Sequence, residues 1–359
     1  MIRVMIVEDS LVVRTYLEHI IDRDPRLTLV ASVTTAEEAL CCLKRVAPDV
    51  ISLDVRLPKM NGFEATLKIM SERPTPIVIF ASDVNEADLN ISKNALRAGA
   101  VSVLEKPMSA MSKDYEKIAD DICDQLVCMS QVKVVRQQSA RILQLSESED
   151  FRKIEMFRSS KASIFNEKEF GVLGIVASTG GPTALVKMLS QLPDDFPLPI
   201  LLVQHITSSF LQGFTTWLSG LCPFDVRIAT AGERIEAGRI YMAPVEHHLE
   251  LVSDRIHLSN ADPVSMQRPS GTVLFRSMAR NSSSRSIAIL MTGMGDDGAE
   301  GMKELYEAGG HTIAQDEESC AVYGMPAEAV RLNSVTELLP LERIAQHLTR
   351  LVEPKAQKV

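Results

Sequence analysis

Residues 171–182, Gly-Val-Leu-Gly-Ile-Val-Ala-Ser-Thr-Gly-Gly-Pro, leave few ways to fold. Val172 to Ala177 is an apolar run that reads as a buried strand. Pro182 then opens a helical spacing of Ala184, Leu185, Met188, Leu189 and Leu192, and proline suits a first helical turn because its missing N–H is not needed there. Gly180 and Gly181 permit a tight turn whose N–H groups point at whatever lies over the helix N-terminus. Ser178 is thereby placed at the carboxyl end of a strand, where open α/β sheets bind ligands. A helix cap or phosphate loop satisfies the same pattern, and the strict G-x-S-x-G elbow is absent because Val176 holds its first glycine position.

A chain of 359 residues is long enough for two domains. Its formal charge of −9 argues against nucleic acid or an anionic membrane as main partner. No apolar run is long enough to span a bilayer, and the N-terminus enters a charged strand-turn pattern without a signal peptide, so no membrane insertion is expected. The six cysteines form no C-x-x-C pair and read as reduced thiols of a cytoplasmic protein.

Residues 1–125 alternate short strands (Arg3–Val7, Leu27–Val33, Val50–Asp54, Ile77–Ala81, Ser102–Leu104) with amphipathic helices, which implies a parallel sheet covered on both faces. Glu8 and Asp9 follow the first strand, Asp54 ends the third and Lys106 follows the fifth, so three carboxylates and a lysine converge on one edge. Carboxylates gathered in this way suit Mg²⁺, and a cation with a lysine offsets the charge of a phosphoryl group moving onto a carboxylate. Helical spacing through Ile118, Ile122 and Leu126 runs into a polar connector, residues 126–168, that reads as a partly helical linker.

In residues 169–352 the run Leu198–Gln204 ends in His205, and Ser286–Thr292 leads into Gly-Met294-Gly-Asp296-Asp297-Gly. Ser178, a histidine and an aspartate each follow a strand, so they can meet on one sheet edge as a proton relay. Spacing does not choose between His205 and His248, nor between Asp296 and Asp297.

Two resemblances bear on these segments. Val-Glu8-Asp9-Ser, Leu-Asp54-Val-Arg-Leu-Pro-Lys-Met-Asn-Gly62 and Lys106-Pro107 resemble response-regulator receiver domains. That likeness implies a flavodoxin-like fold, Asp54 as phosphoacceptor, Mg²⁺ on Glu8, Asp9, Asp54 and the Arg56 carbonyl, and Lys106 on the phosphoryl group. The usual hydroxyl residue of strand four is Ala81, leaving Ser82 as the hydroxyl contact, and the usual aromatic is Val103. Ala-Ser178-Thr-Gly-Gly-Pro, Gln-His205-Ile, Tyr-Met-Ala-Pro, Arg268-Pro-Ser and Thr-Gly-Met294-Gly-Asp-Asp297-Gly resemble the Rossmann-like catalytic domain of chemotaxis protein-glutamate methylesterases. The likeness implies Ser178 as nucleophile, His205 as base, Asp297 as its partner, and the N–H groups of Thr179 and Met294 as oxyanion donors, without a metal there. It also implies methylated chemoreceptors as substrate and a chemotaxis histidine kinase as phosphodonor. Asp296 stands where asparagine is common in that family, and Thr272 where an acidic residue is frequent. A regulator whose second domain only binds a partner, and a general small-molecule esterase, are the rival readings.

Overall fold

The apolar runs named above become buried parallel strands in a computed structural model that describes residues 1–81, 99–100, 102–106, 115–130, 132, 134 and 170–353. The first sheet contains β1 (Ile2–Val7), β2 (Leu27–Val33), β3 (Val50–Asp54), β4 (Ile77–Ala81) and β5 (Ser102–Glu105). Between and after them lie α1 (Leu11–Arg23), α2 (Ala36–Val46), α3 (Gly62–Glu72) and α4 (Tyr115–Ser130). All pairings are parallel, in the order β2-β1-β3-β4-β5, the flavodoxin-like arrangement. Within β1, Val4 and Ile6 enter one apolar cluster and Met5 and Val7 the other, as a side-chain period of two requires. Leu11 and Val12 open α1 but stay exposed; its buried residues are Leu17, Ile20 and Ile21. Helix α4 continues past residue 125, with Leu126 and Met129 buried in the same core as Val4 and Ile6.

The strands of the second sheet are β6 (Val172–Ala177), β7 (Ile200–Gln204), β8 (Asp225–Ile228), β9 (Arg239–Met242), β12 (Ser286–Leu290), β13 (His311–Gln315) and β14 (Glu337–Leu339). They follow the order β14-β13-β12-β6-β7-β9-β8, again parallel throughout. A separate hairpin, β10 (His248–Val252) with β11 (Arg255–Ser259), is antiparallel. The helices are α5 (Gly181–Leu189), α6 (Ser208–Ser219), α7 (Gly271–Asn281), α8 (Ala299–Glu307), α9 (Met325–Arg331) and α10 (Leu341–Val352). Leu173, Ile175 and Ala177 of β6 face one cluster while Val172 and Val176 face the other, so helices cover both sides. Two strands are shorter than their apolar runs. β7 begins at Ile200 because Pro199 has no N–H for the ladder, though its carbonyl still accepts from Leu173. β12 ends at Leu290: the Met291 N–H still donates to Val176 O at 2.9 Å, but the Thr292 N–H donates to the Gln315 side chain at 3.0 Å.

β6 lies between β7 and β12, so its chain neighbour sits on one side and a much later strand on the other. That reversal of strand order opens a crevice beyond the carboxyl ends of β6 and β12, the usual ligand position in such sheets. Among the described residues no helix is long and apolar enough to cross a membrane.

Candidate active site and phosphoacceptor site

The turn after β6 is held by sterics as much as by hydrogen bonds. Gly180 has φ +76° and caps α5, a backbone region costly for other residues. At Gly181 a Cβ would lie 2.1 Å from Gln204 Oε1. Gln204 Nε2 donates to the carbonyls of Ser178 and His205, both at 2.9 Å, locking the ends of β6 and β7 together. The His205 N–H donates to Ala177 O at 3.0 Å and the Ser178 N–H to Thr292 O at 3.0 Å. Three strand ends are thereby tied to one another, with Ser178 between His205 and the loop after β12. Thr292 Oγ1 completes the tie by donating to Thr179 O at 2.9 Å.

His205 Nε2 lies 2.9 Å from Asp297 Oδ2. Asp297 is buried, whereas its neighbour Asp296 is exposed. The adjacent pair left open by spacing is therefore divided by burial: one carboxylate meets the imidazole and the other is solvated. Asp297 also accepts from Ser270 Oγ (2.6 Å), Gly271 N–H (2.6 Å) and Thr272 N–H (3.1 Å). These donors form the N-terminus of α7, where the helix dipole favours an anion. Burial by itself pushes the Asp297 carboxyl up, but His205, Ser270 and the Gly271 N–H outweigh it and hold the group below the usual carboxylate range. An ionised carboxylate can only accept, so His205 Nε2 carries a proton, and in the neutral ring the lone pair is on Nδ1.

His248, the rival histidine, is fully buried. Its Nδ1 accepts from Ser270 N–H at 3.2 Å, so its Nε2 donates to Asp262 O at 3.1 Å. Both ring nitrogens are committed to holding the loop that delivers α7. Thr272 is likewise buried, and its hydroxyl accepts from Gly298 N–H at 2.8 Å. Arg268 Nη2 pairs with Glu246 at 2.7 Å, bracing the same loop. Ser178 is half-buried and its Oγ has no hydrogen-bond partner among the described residues; the same holds for the N–H groups of Thr179 and Met294. Ser270 and Gln204 are supporting residues to which the motifs give no role, and Thr272, which stands where an acidic residue is frequent, is buried in the support of α7. Ser270 was within reach: a serine directly before the spacing Leu274, Phe275, Met278 is a helix N-cap signal.

On the first sheet, Glu8, Asp9 and Asp54 bring carboxylate oxygens within 4.8 Å of one another. Lys106 Nζ lies 2.9 Å from Glu8 Oε1 and 2.8 Å from Asp54 Oδ2. Burial, with repulsion from Asp54, pushes the Glu8 carboxyl up; burial does the same to Asp54 against the pull of Lys106. Lys106 is pulled down by burial but raised on balance by Asp54 and Glu8. Glu8 Oε2 is buried without a hydrogen-bond partner among the described residues, so this donor set fits a hard cation that would satisfy it. The Arg56 N–H donates to Asp54 Oδ1 at 3.1 Å. Ala81 is buried and brings no hydroxyl; its carbonyl accepts from Lys106 N–H at 2.8 Å. Ser82 lies outside the described residues, as does the side chain of Val103.

A flavodoxin-like sheet with an acidic pocket, followed by a doubly wound sheet with a histidine–aspartate pair beside a serine, defines a receiver joined to a hydrolase domain. Comparison with known proteins makes this specific. Residues 4–113 match the response regulator receiver domain and residues 173–348 the CheB methylesterase domain. The chain is 52% identical over 350 residues to protein-glutamate methylesterase/protein-glutamine glutaminase 2 of Paramagnetospirillum magneticum, covering 98% of this chain and 97% of the relative. It is 42% identical to the Nitrosospira multiformis protein-glutamate methylesterase/protein-glutamine glutaminase, covering 99% of each. The Thermotoga maritima CheB methylesterase catalytic domain, a crystal structure, is 31% identical with a TM-score of 0.49, covering 51% of this chain and 100% of that one. The chain belongs to the protein-glutamate methylesterase/protein-glutamine glutaminase family.

Proposed function

We propose that the chain removes methyl esters from glutamyl side chains of chemoreceptors, and deamidates receptor glutamines, through an acyl-enzyme on Ser178, under control of phosphorylation at Asp54. The observation that carries the first half is the His205 Nε2–Asp297 Oδ2 contact of 2.9 Å, held at the strand ends that flank Ser178. Ser178 Oγ attacks the ester carbonyl as His205 Nδ1 takes its proton. The developing oxyanion lies between the N–H groups of Thr179 and Met294, which have no acceptor among the described residues. Each such donor is worth about 3–4 kcal/mol of barrier and a positioned base about 10²–10⁴-fold in rate. His205 passes the proton to the leaving methoxide oxygen, which departs as methanol, or to the leaving amide nitrogen of a glutamine, which departs as ammonia. It then deprotonates the water that frees glutamate and Ser178. Asp297 stays ionised throughout and stabilises the imidazolium.

In the receiver, Glu8, Asp9 and Asp54 would hold Mg²⁺ with the Arg56 carbonyl, and the bound cation supplies positive charge against the phosphoryl oxygens. Asp54 accepts the phosphoryl group from a kinase phosphohistidine, and Lys106 steadies it. Regulation is supported by Ile206 and Phe210: both follow His205 closely, and both share an apolar cluster with Val55, Leu57 and Ala81 of the receiver. A receiver packed there hinders a bulky receptor helix, and phospho-Asp54 loosens the packing. The setting proposed is the cytoplasm, where the receptor signalling helices and the kinase lie. In the test of the chemistry, Ser178→Ala is expected to keep its fold and its melting temperature while methanol release from methyl-labelled receptor membranes falls to background. Near-normal release by the folded variant would overturn the assignment.

A further inference from the structure

Away from both sites described above, one cluster of metal-ligating side chains among the described residues gathers at the opposite end of the second sheet. His311 is the first residue of β13, Glu337 the first of β14, and His347 lies midway along α10. Ser178, by contrast, follows the carboxyl end of β6. The Nε2 atoms of His311 and His347 lie 3.3 and 2.9 Å from a single oxygen, Glu337 Oε1. One donor atom from each of the three side chains lies within 4.8 Å of the other two. The two imidazoles are nearly parallel, 21° apart with centroids 5.9 Å from each other, and Phe170 stands edge-on to His311. The side chains are 15, 28 and 18% exposed for His311, Glu337 and His347, so the cluster is sheltered yet reachable from solvent.

The simplest account is a pair of imidazole–carboxylate hydrogen bonds. It does not cover His347. Although its Nε2 is 2.9 Å from Glu337 Oε1, this buried nitrogen makes no hydrogen bond among the described residues. Two imidazole nitrogens and a carboxylate oxygen form the donor set of three-ligand zinc sites. Bonds of about 2.0–2.2 Å in a tetrahedron place ligand atoms roughly 3.4 Å apart; the two histidine–carboxylate separations here are 3.3 and 2.9 Å, and all three donor atoms lie within 4.8 Å of one another. Mixed nitrogen and oxygen donors favour a borderline transition ion over Mg²⁺ or Ca²⁺.

We propose that His311, Glu337 and His347 form a binding site for a divalent transition ion of the Zn²⁺ class, its fourth position open to water. The three ligands come from three elements. β14 is an edge strand of only three residues, paired with β13 alone. A bound ion clamps that edge to β13 and α10 and leaves the Ser178 crevice untouched.

The test titrates the full-length reduced protein with Zn²⁺ against a chromophoric chelator, with excess Mg²⁺ present to fill the acidic receiver site. The expected result is one tight equivalent and a rise of several degrees in Tm at saturation. His347→Gln and Glu337→Gln should weaken that equivalent by at least about tenfold and abolish the rise. Co²⁺ in place of Zn²⁺ should give a nitrogen–oxygen spectrum free of thiolate charge transfer. Unchanged stoichiometry and affinity in both folded variants, or a thiolate band from the cysteines, would overturn the site. Protection in the wild type needs no variant to fold: Zn²⁺ should block carbethoxylation of His311 and His347, and equal modification with and without Zn²⁺ would equally count against it.

Discussion

Asp297 shows how a carboxylate can be buried and still charged. Four donors surround its two oxygens, three of them from the start of α7 and the fourth from His205. Replacement by asparagine keeps the size but removes the anion, so His205 loses both its tautomer control and its counter-charge. We expect Asp297→Asn to lower kcat by about 10⁴-fold while the protein remains folded, measured by methanol release and circular dichroism. The pH dependence follows from a depressed folded-state pKa. The stability Asp297 contributes is complete above its unfolded value of about 3.9 and is lost as pH falls through the lower folded value. The Tm difference between wild type and Asp297→Asn should therefore hold steady from pH 8 to about 5 and close below about 4. A difference that persists undiminished at pH 3 would show that the charge contributes nothing.

Helix α7 is the element that converts local sequence into site geometry. Its N-cap, Ser270, accepts from Val273 N–H at 3.4 Å while donating to Asp297, so one hydroxyl serves both helix and carboxylate. Loss of an N-cap costs about 0.5–2 kcal/mol. Ser270→Ala should lower Tm by several degrees and kcat by roughly tenfold, and Ser270→Thr should recover most of both. A variant that loses stability without losing kcat would assign Ser270 to the helix alone. The sheets were largely legible: β2, β3, β4 and β6 begin and end at the residues their apolar runs mark. Ser178, His205 and the Asp296–Asp297 pair could be placed at strand ends for the same reason. What periodicity could not supply was depth. The burial of Asp297 and of His248 depends on α7 and the β10–β11 hairpin, and α7 lies far along the chain from β6, which it covers through Phe275 and Met278. The order β14-β13-β12-β6 is set by long-range packing and left no local mark. Likewise, the exposure of Leu11 and Val12 at the start of α1 could not be read from their helical spacing.

At the scale of the whole molecule, two doubly wound sheets carry two acidic chemistries with opposite electrostatics. Asp297 is held ionised by donors, whereas Glu8 and Asp54 are pushed toward protonation by burial, with Asp54 also repelling Glu8 and Asp9 repelling Asp54. Raised folded-state values mean that ionising Glu8 and Asp54 costs stability at neutral pH, and a cation offsets that cost. Millimolar Mg²⁺ should accordingly raise the wild-type receiver transition in a thermal melt, and Asp9→Ala should remove most of the rise. An equal rise in the variant would place the cation elsewhere. If Ile206 and Phe210 transmit the receiver's restraint, deleting residues 1–130 should raise the unstimulated rate of ester hydrolysis. An unchanged initial rate would remove the restraint from the account.

The central claim, that a Ser178 hydrolase is governed by Asp54, is met most directly by one assay. Methanol release from methyl-labelled receptor membranes is followed with and without acetyl phosphate plus Mg²⁺, for wild type, Asp54→Ala and Ser178→Ala. We expect release by wild type to rise with the phosphodonor, release by Asp54→Ala to stay at the unstimulated level, and release by Ser178→Ala to be absent throughout. Stimulation that survives in Asp54→Ala, or release that survives in Ser178→Ala, would contradict it.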